Sequence, residues 1–116
     1  MSGEPEYLEQ SHTTGGFRTE FYIPDTLCYL AGHFPDAPLV PAFAQIQWVI
    51  ESLRLHFDEP CRSWSIERVK FVAPLFPSRT YQMEIARDGA TPRFQFRISD
   101  ATNVCTTGSL RTSPQN

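Results

Sequence analysis

Long apolar runs are missing from this sequence: nowhere do about eighteen consecutive residues stay apolar, so no helical membrane span is expected. Basic residues are in deficit. Ten Lys and Arg stand against thirteen Asp and Glu, a net charge of -3, with no basic block, which argues against a nucleic-acid partner. Cysteine is scarce, and its three copies, Cys28, Cys61 and Cys105, form neither a CxxC motif nor a zinc set with nearby His. Reduced, mostly buried thiols and no metal are therefore expected. The opening stretch MSGEPEYLEQSHTTGG lacks the positive and apolar segments of a signal peptide, so a cytoplasmic location is expected.

What is present points to a compact β-containing domain. The 116 residues are enough for one domain and too few for two. A hydrophobic share of 41% and a charged share of 20% are those of a globular chain. Aromatic residues make up 13% and prolines number ten, which favours strands over a short-looped helical bundle.

Along the chain, residues 1–16 and 112–116 are polar and read as N-terminal and C-terminal tails around a core of 17–111. The run FRTEFYI, 17–23, is aromatic and β-prone and closes at Pro24-Asp25. The segment AGHFPDAPLVP, 31–41, is too rich in proline for regular structure and reads as an ordered loop. From Pro41, suited to a first helical turn, AFAQIQWVIESLRLHF holds no Gly or Pro and ends before Asp58-Glu59-Pro60, which predicts a helix of about four turns. Its first three turns are apolar on nearly every side, the mark of a helix buried all round. The segments 61–73, 79–87, 93–99 and 103–111 read as four antiparallel strands, with the alternation clearest in RFQFRI. A sheet of about five strands covers one side of a helix and cannot enclose it. Trp48, Val49 and Ile50 thus need a second surface, and another copy of the same chain is the economical one.

The loop and helix start, GHFPDAPLVPAFAQIQW, resemble the signature of the hotdog-fold β-hydroxyacyl-[acyl carrier protein] dehydratases, with His33, Phe34, Pro35, Pro38 and Pro41 in register. Downstream, VKFVAPLFP at 69–77 resembles that family's KFxxPxxPGD segment, and the spacing through Trp48 looks most like the subgroup associated with aryl polyene biosynthesis. The resemblance spans residues 17–111 and implies an α+β hotdog fold, an antiparallel sheet wrapped round a long central helix and paired as a dimer. It also implies reversible loss of water from a β-hydroxyacyl thioester, giving the trans-2-enoyl product, in fatty acid or aryl polyene biosynthesis. No metal or organic cofactor is implied.

Within that resemblance, the chemistry explains the residue type that the family places in each role. The C2 proton needs a base that titrates near neutrality, and His33 is the candidate. The thioester carbonyl gains charge as the proton leaves, and the first free amide of the helix, at Ala42 where the family carries Gly, can donate to it. The family places Glu or Asp fourteen residues after the His, reaching in from the partner chain, to protonate the departing hydroxyl; here that residue is Gln47. An amide can hold a hydroxyl or a water but has no proton to give. Asp36, read as a loop-turning residue, and Glu51, read as facing water or the sheet edge, are the carboxylates near His33 and Gln47 in sequence. Phe34, Pro41, Phe43, Ile46 and Trp48 are candidate walls of the acyl site.

The implied substrate is an acyl carrier protein or coenzyme A thioester, and the partner a second copy or a related dehydratase. Arg54, Arg62, Arg68, Lys70 and Arg79, the last standing for the family's glycine after Pro77, are scattered cations available to an acidic carrier. Gln47 also leaves open an acyl thioesterase or a catalytically weak acyl-binding subunit. His12 and His56 are expected to be exposed, with His56 as a cation favoured by the helix dipole.

Overall fold

The computed structural model describes residues 4–13, 15–25, 39–57, 61–89 and 91–114. In chain order the elements are β1 (Glu6–Thr13), β2 (Gly16–Ile23), α1 (Ala42–Phe57), β3 (Cys61–Phe71), β4 (Arg79–Arg87), β5 (Arg93–Ser99) and β6 (Val104–Pro114). The strands form one six-stranded sheet in the order β1-β2-β4-β5-β6-β3, antiparallel at every step. This is the hotdog arrangement, with α1 lying on one face of the sheet.

Period-two alternation sorts the side chains. Phe17, Phe21 and Ile23 of β2, Tyr81, Met83 and Ile85 of β4, and Phe94, Phe96 and Ile98 of β5 are all buried. Against them α1 sets Ala44, Trp48, Val49 and Leu53 along one stripe. Trp48 is fully buried with its ring edge-on to Phe21, centroids 6.0 Å apart. At Gly108 of β6 the Phe96 ring lies so close that a Cβ would come within 2.6 Å of it, so only glycine fits.

Four expectations are corrected. Residues 6–13 are not a loose tail: β1 pairs with β2 from Glu6↔Tyr22 to Thr13↔Gly16, and seven of its eight side chains are exposed, so no apolar alternation betrays it. At the other end β6 runs on to Pro114, pairing Trp64 with Thr112 and Cys61 with Pro114. Trp48 and Val49 need no second surface, because one chain already buries both completely; the side of the helix left uncovered is another one. Phe43 is 58% and Leu55 74% exposed, and Ile46 and Ile50 are half-buried. Finally, the residue directly after Pro77, where the family's glycine falls, is Ser78, in the left-handed region at φ 61°, and not Arg79.

His56 also departs from expectation. It is half-buried, stacked on Phe17 with centroids 4.2 Å apart and meeting His12 edge-on at 5.3 Å. Burial, followed by the His12 charge, lowers its pKa below the ordinary 6.5 in spite of its place at the helix C-terminus. The folded chain thus prefers neutral His56, whereas the unfolded chain takes up a proton as pH drops through 6.5. Stability should be full above that pH and decline below it. The melting temperature should accordingly fall more steeply between about pH 7 and pH 5 in the natural protein than in His56→Phe. Parallel curves for the two proteins would refute this.

Cys105 is buried and unbridged, and burial pushes its thiol up. Cys28 lies outside the described residues. No helix among them is long and apolar enough to cross a membrane, and they contain no cluster of three or more His, Cys, Asp or Glu able to hold a metal ion.

Candidate active site at the start of the helix

Pro41 opens α1. Its carbonyl accepts from Ala44 N at 3.1 Å and from Gln45 N at 3.3 Å, so the helical ladder begins there and the Ala42 amide precedes any intrahelical acceptor. Ala42 is exposed, and no acidic side chain occupies the first turn of the helix. Arg54 and His56 sit in the last turn. The positive pole of the helix therefore emerges at an exposed residue.

This start is held by polar contacts that the sequence reading did not assign. Gln45 is 3% exposed; its Nε2 donates to the Val40 carbonyl at 3.4 Å, and its Oε1 accepts from the Thr106 hydroxyl of β6 at 2.7 Å. One side chain thus ties the first turn both to the incoming chain and to the sheet, and because both groups are buried the pairing is costly to break. Its only signal in the sequence was a polar residue within an otherwise apolar turn.

The segment between β3 and β4 supplies a second support. Val40 N donates to Leu75 O at 3.0 Å, and Ser78 N donates to Ile23 O at 2.6 Å. The chain leaving β2 and the chain entering α1 are thus fastened to the same stretch, VAPLFPS. That stretch is itself pinned by the buried Tyr81, whose hydroxyl accepts from Phe76 N at 2.9 Å. This gives a structural role to the residues that resemble KFxxPxxPGD.

Of the expected site residues, His33 and Phe34 lie outside the described residues, as does Asp36. The others all sit on or beside the first two turns of α1. Pro41 and Ile46 are half-buried, Phe43 and Gln47 are exposed, and Trp48 is fully buried, so it could meet a substrate only as a wall behind the site. Gln47 Nε2 donates to Glu51 Oε1 at 3.1 Å, so Glu51 faces Gln47 one turn further on. Phe43, Gln47 and Leu55 fall at four- and eight-residue intervals on the side of the helix that the sheet leaves uncovered.

A hollow of about 640 Å³ lies elsewhere, against the sheet, lined by Arg68, Lys70, Glu84, Arg97, Thr107 and Ser109. Among the described residues, none of the expected site residues borders it. Two of the scattered cations, Arg68 and Lys70, are there; Arg79 lies over the Phe76 ring at 4.9 Å and Arg54 is exposed on α1. Glu84, at the same hollow, is paired with Arg18 at 3.5 Å and Arg97 at 2.9 Å, contacts worth about 1 kcal/mol or less each at this exposure.

The geometry agrees with what the chain resembles. A chain of the dehydratase heterocomplex ApeI:P from Xenorhabdus doucetiae superposes with a TM-score of 0.87 at 28% identity, over 96% of this chain and 99% of that one. An uncharacterized protein from Erwinia carotovora subsp. atroseptica gives 0.75 at 23% identity, covering 96% and 97%. The dehydratase domain from the CurF module of curacin polyketide synthase shares the fold, with a TM-score of 0.74 at 16% identity over 96% of this chain and 43% of that one. No curated protein matches. The family described as ApeI-like, ApeI dehydratase, matches residues 9–109, and the chain belongs to that family.

Proposed function

We propose that this protein carries out the reversible dehydration of a β-hydroxyacyl thioester, borne by acyl carrier protein or coenzyme A, to the trans-2-enoyl thioester. The observation that carries the proposal is α1 itself: the exposed Ala42 at its positive pole, and Gln47 on the uncovered side that a partner subunit would meet. The Ala42 N–H donates to the thioester oxygen as charge grows on it. His33 takes the C2 proton. The C2–H electron pair forms the C2–C3 π bond, and the C3–O bond breaks with its pair going to oxygen. Since Gln47 has no proton to give, the imidazolium of His33 returns the proton to that oxygen, which leaves as water while Gln47 holds it. No external acid and no cofactor are needed for the balance.

Two uncovered surfaces support a dimeric site. One is the helix face with Phe43 and Leu55; the other is β3, an edge strand with Ile66 51% and Phe71 47% exposed. The opposite edge, β1, is exposed and carries Glu6 and Glu9, as solvated edges do. Joining two copies along β3 would bring the helix faces together, with His33 of one subunit facing Gln47 of the partner. The similar Xenorhabdus chain comes from a heterocomplex, so a related dehydratase is the second candidate for the partner.

The test is incubation with β-hydroxyacyl and enoyl thioesters of acyl carrier protein. Interconversion is expected. Release of free thiol would replace the proposal with thioester hydrolysis, and binding without turnover would replace it with an acyl-binding subunit; Gln47 in the place of an acid is what keeps these readings in view.

A further inference from the structure

If dehydration is the reaction, the way Gln47 faces decides whether it can help, and the helix contains a device that sets this. Glu51 is the only carboxylate on α1, and its Oε1 accepts from Gln47 Nε2 at 3.1 Å. An ionised carboxylate can only accept. The Gln47 carboxamide must therefore turn its nitrogen to Glu51, which sends its oxygen to the other side of the planar group. Glu51 is itself half-buried.

We propose that Glu51 is a positioning residue, resting on the dehydratase reading above, which orients Gln47 so that the amide oxygen accepts from the β-hydroxyl of the substrate. A hydroxyl that donates into Gln47 turns its lone pairs to the rest of the site, where the returning proton must arrive. Neither Gln47 nor Glu51 exchanges a proton in the step. The pair works as a fixed acceptor, in contrast to the acid that the family places at this position.

The test is a four-protein cycle of the natural chain, E51Q, Q47E and Q47E/E51Q, assayed for kcat and KM on β-hydroxyacyl carrier-protein thioesters. A glutamine at position 51 presents either arm and no longer dictates which way Gln47 faces, so E51Q should lower kcat about tenfold while KM stays within about twofold. In Q47E two carboxylates meet four residues apart and repel. There the second change should raise activity, because the amide introduced at position 51 can donate to the carboxylate introduced at position 47 and restore the contact with its direction reversed. The same substitution thus harms one background and helps the other, a coupling that general loss of stability would not produce. In side-chain amide NMR spectra the Gln47 NH2 resonances should shift in E51Q.

Unchanged kcat in E51Q, or an equal loss in both backgrounds, would overturn the positioning role and leave the dehydratase reading standing. A natural chain that fails to interconvert the thioesters at all would overturn both. All four proteins should melt at similar temperatures, since the contact between the two side chains is solvent-exposed.

Discussion

His33→Ala should lower kcat/KM for dehydration about a thousandfold, equivalent to about 4 kcal/mol of transition-state stabilisation. The proposal gives this one imidazole both proton transfers, from C2 and back to the leaving oxygen, so no second residue shares the loss. The Ala42 amide and the acyl walls remain, and residual turnover above the uncatalysed rate is expected from them. The natural protein should also show a rate limb in the range where imidazoles titrate, and the variant should lack it. Undiminished dehydration by His33→Ala would remove the base assignment.

The subunit arrangement can be read from the same variant. Mixing His33→Ala with Gln47→Ala should restore about a quarter of the natural activity after random re-pairing, because half the dimers are mixed and each has one intact site. Absence of any recovery would place both residues in a single chain.

Trp48→Ala is the second large effect, and it falls on stability. The ring is completely buried between helix and sheet, edge-on to Phe21. Truncating a buried tryptophan costs about 3–5 kcal/mol, against a total of about 5–15 for an ordinary domain. A melting temperature lowered by roughly 15 °C or more is expected from thermal unfolding followed by circular dichroism. Trp48→Phe should recover most of it. A drop of only about 5 °C would show that the ring is not the centre of the core. Because Trp48 has no exposed surface in the chain, KM should respond to its replacement less than stability does.

How much of this was legible in the sequence follows from which interactions leave a local trace. The helix from Ala42 to Phe57 was legible because prolines bracket it, and β4 and β5 because turns and alternation mark them. β1 left no trace: EYLEQSHT is polar and mostly exposed, and it becomes a strand through backbone pairing with β2 and through one half-buried side chain, Tyr7, set against the core. Gln45 and Thr106 are 61 positions apart, a distance over which no spacing rule reaches. The Gln47–Glu51 contact was within reach at helical spacing, but Glu51 was read as facing water or the sheet edge. His56 shows the reverse failure, where a sound local rule about helix ends gave way to burial against Phe17.

The hydrogen bonds Ser78 N to Ile23 O and Val40 N to Leu75 O have a consequence for chain entropy. They clamp both ends of residues 24–39, the stretch that carries His33, onto one short segment. The length-dependent part of closing sixteen residues is about 2.5 kcal/mol, and folding meets that cost before any substrate arrives. Doubling the length of that stretch would add only about 0.6 kcal/mol, because the cost grows with the logarithm of length. The same insertion would scatter the base over a far larger volume. On the proposed mechanism, the stretch that thermodynamics lets grow most freely is thus the one whose length the reaction would constrain.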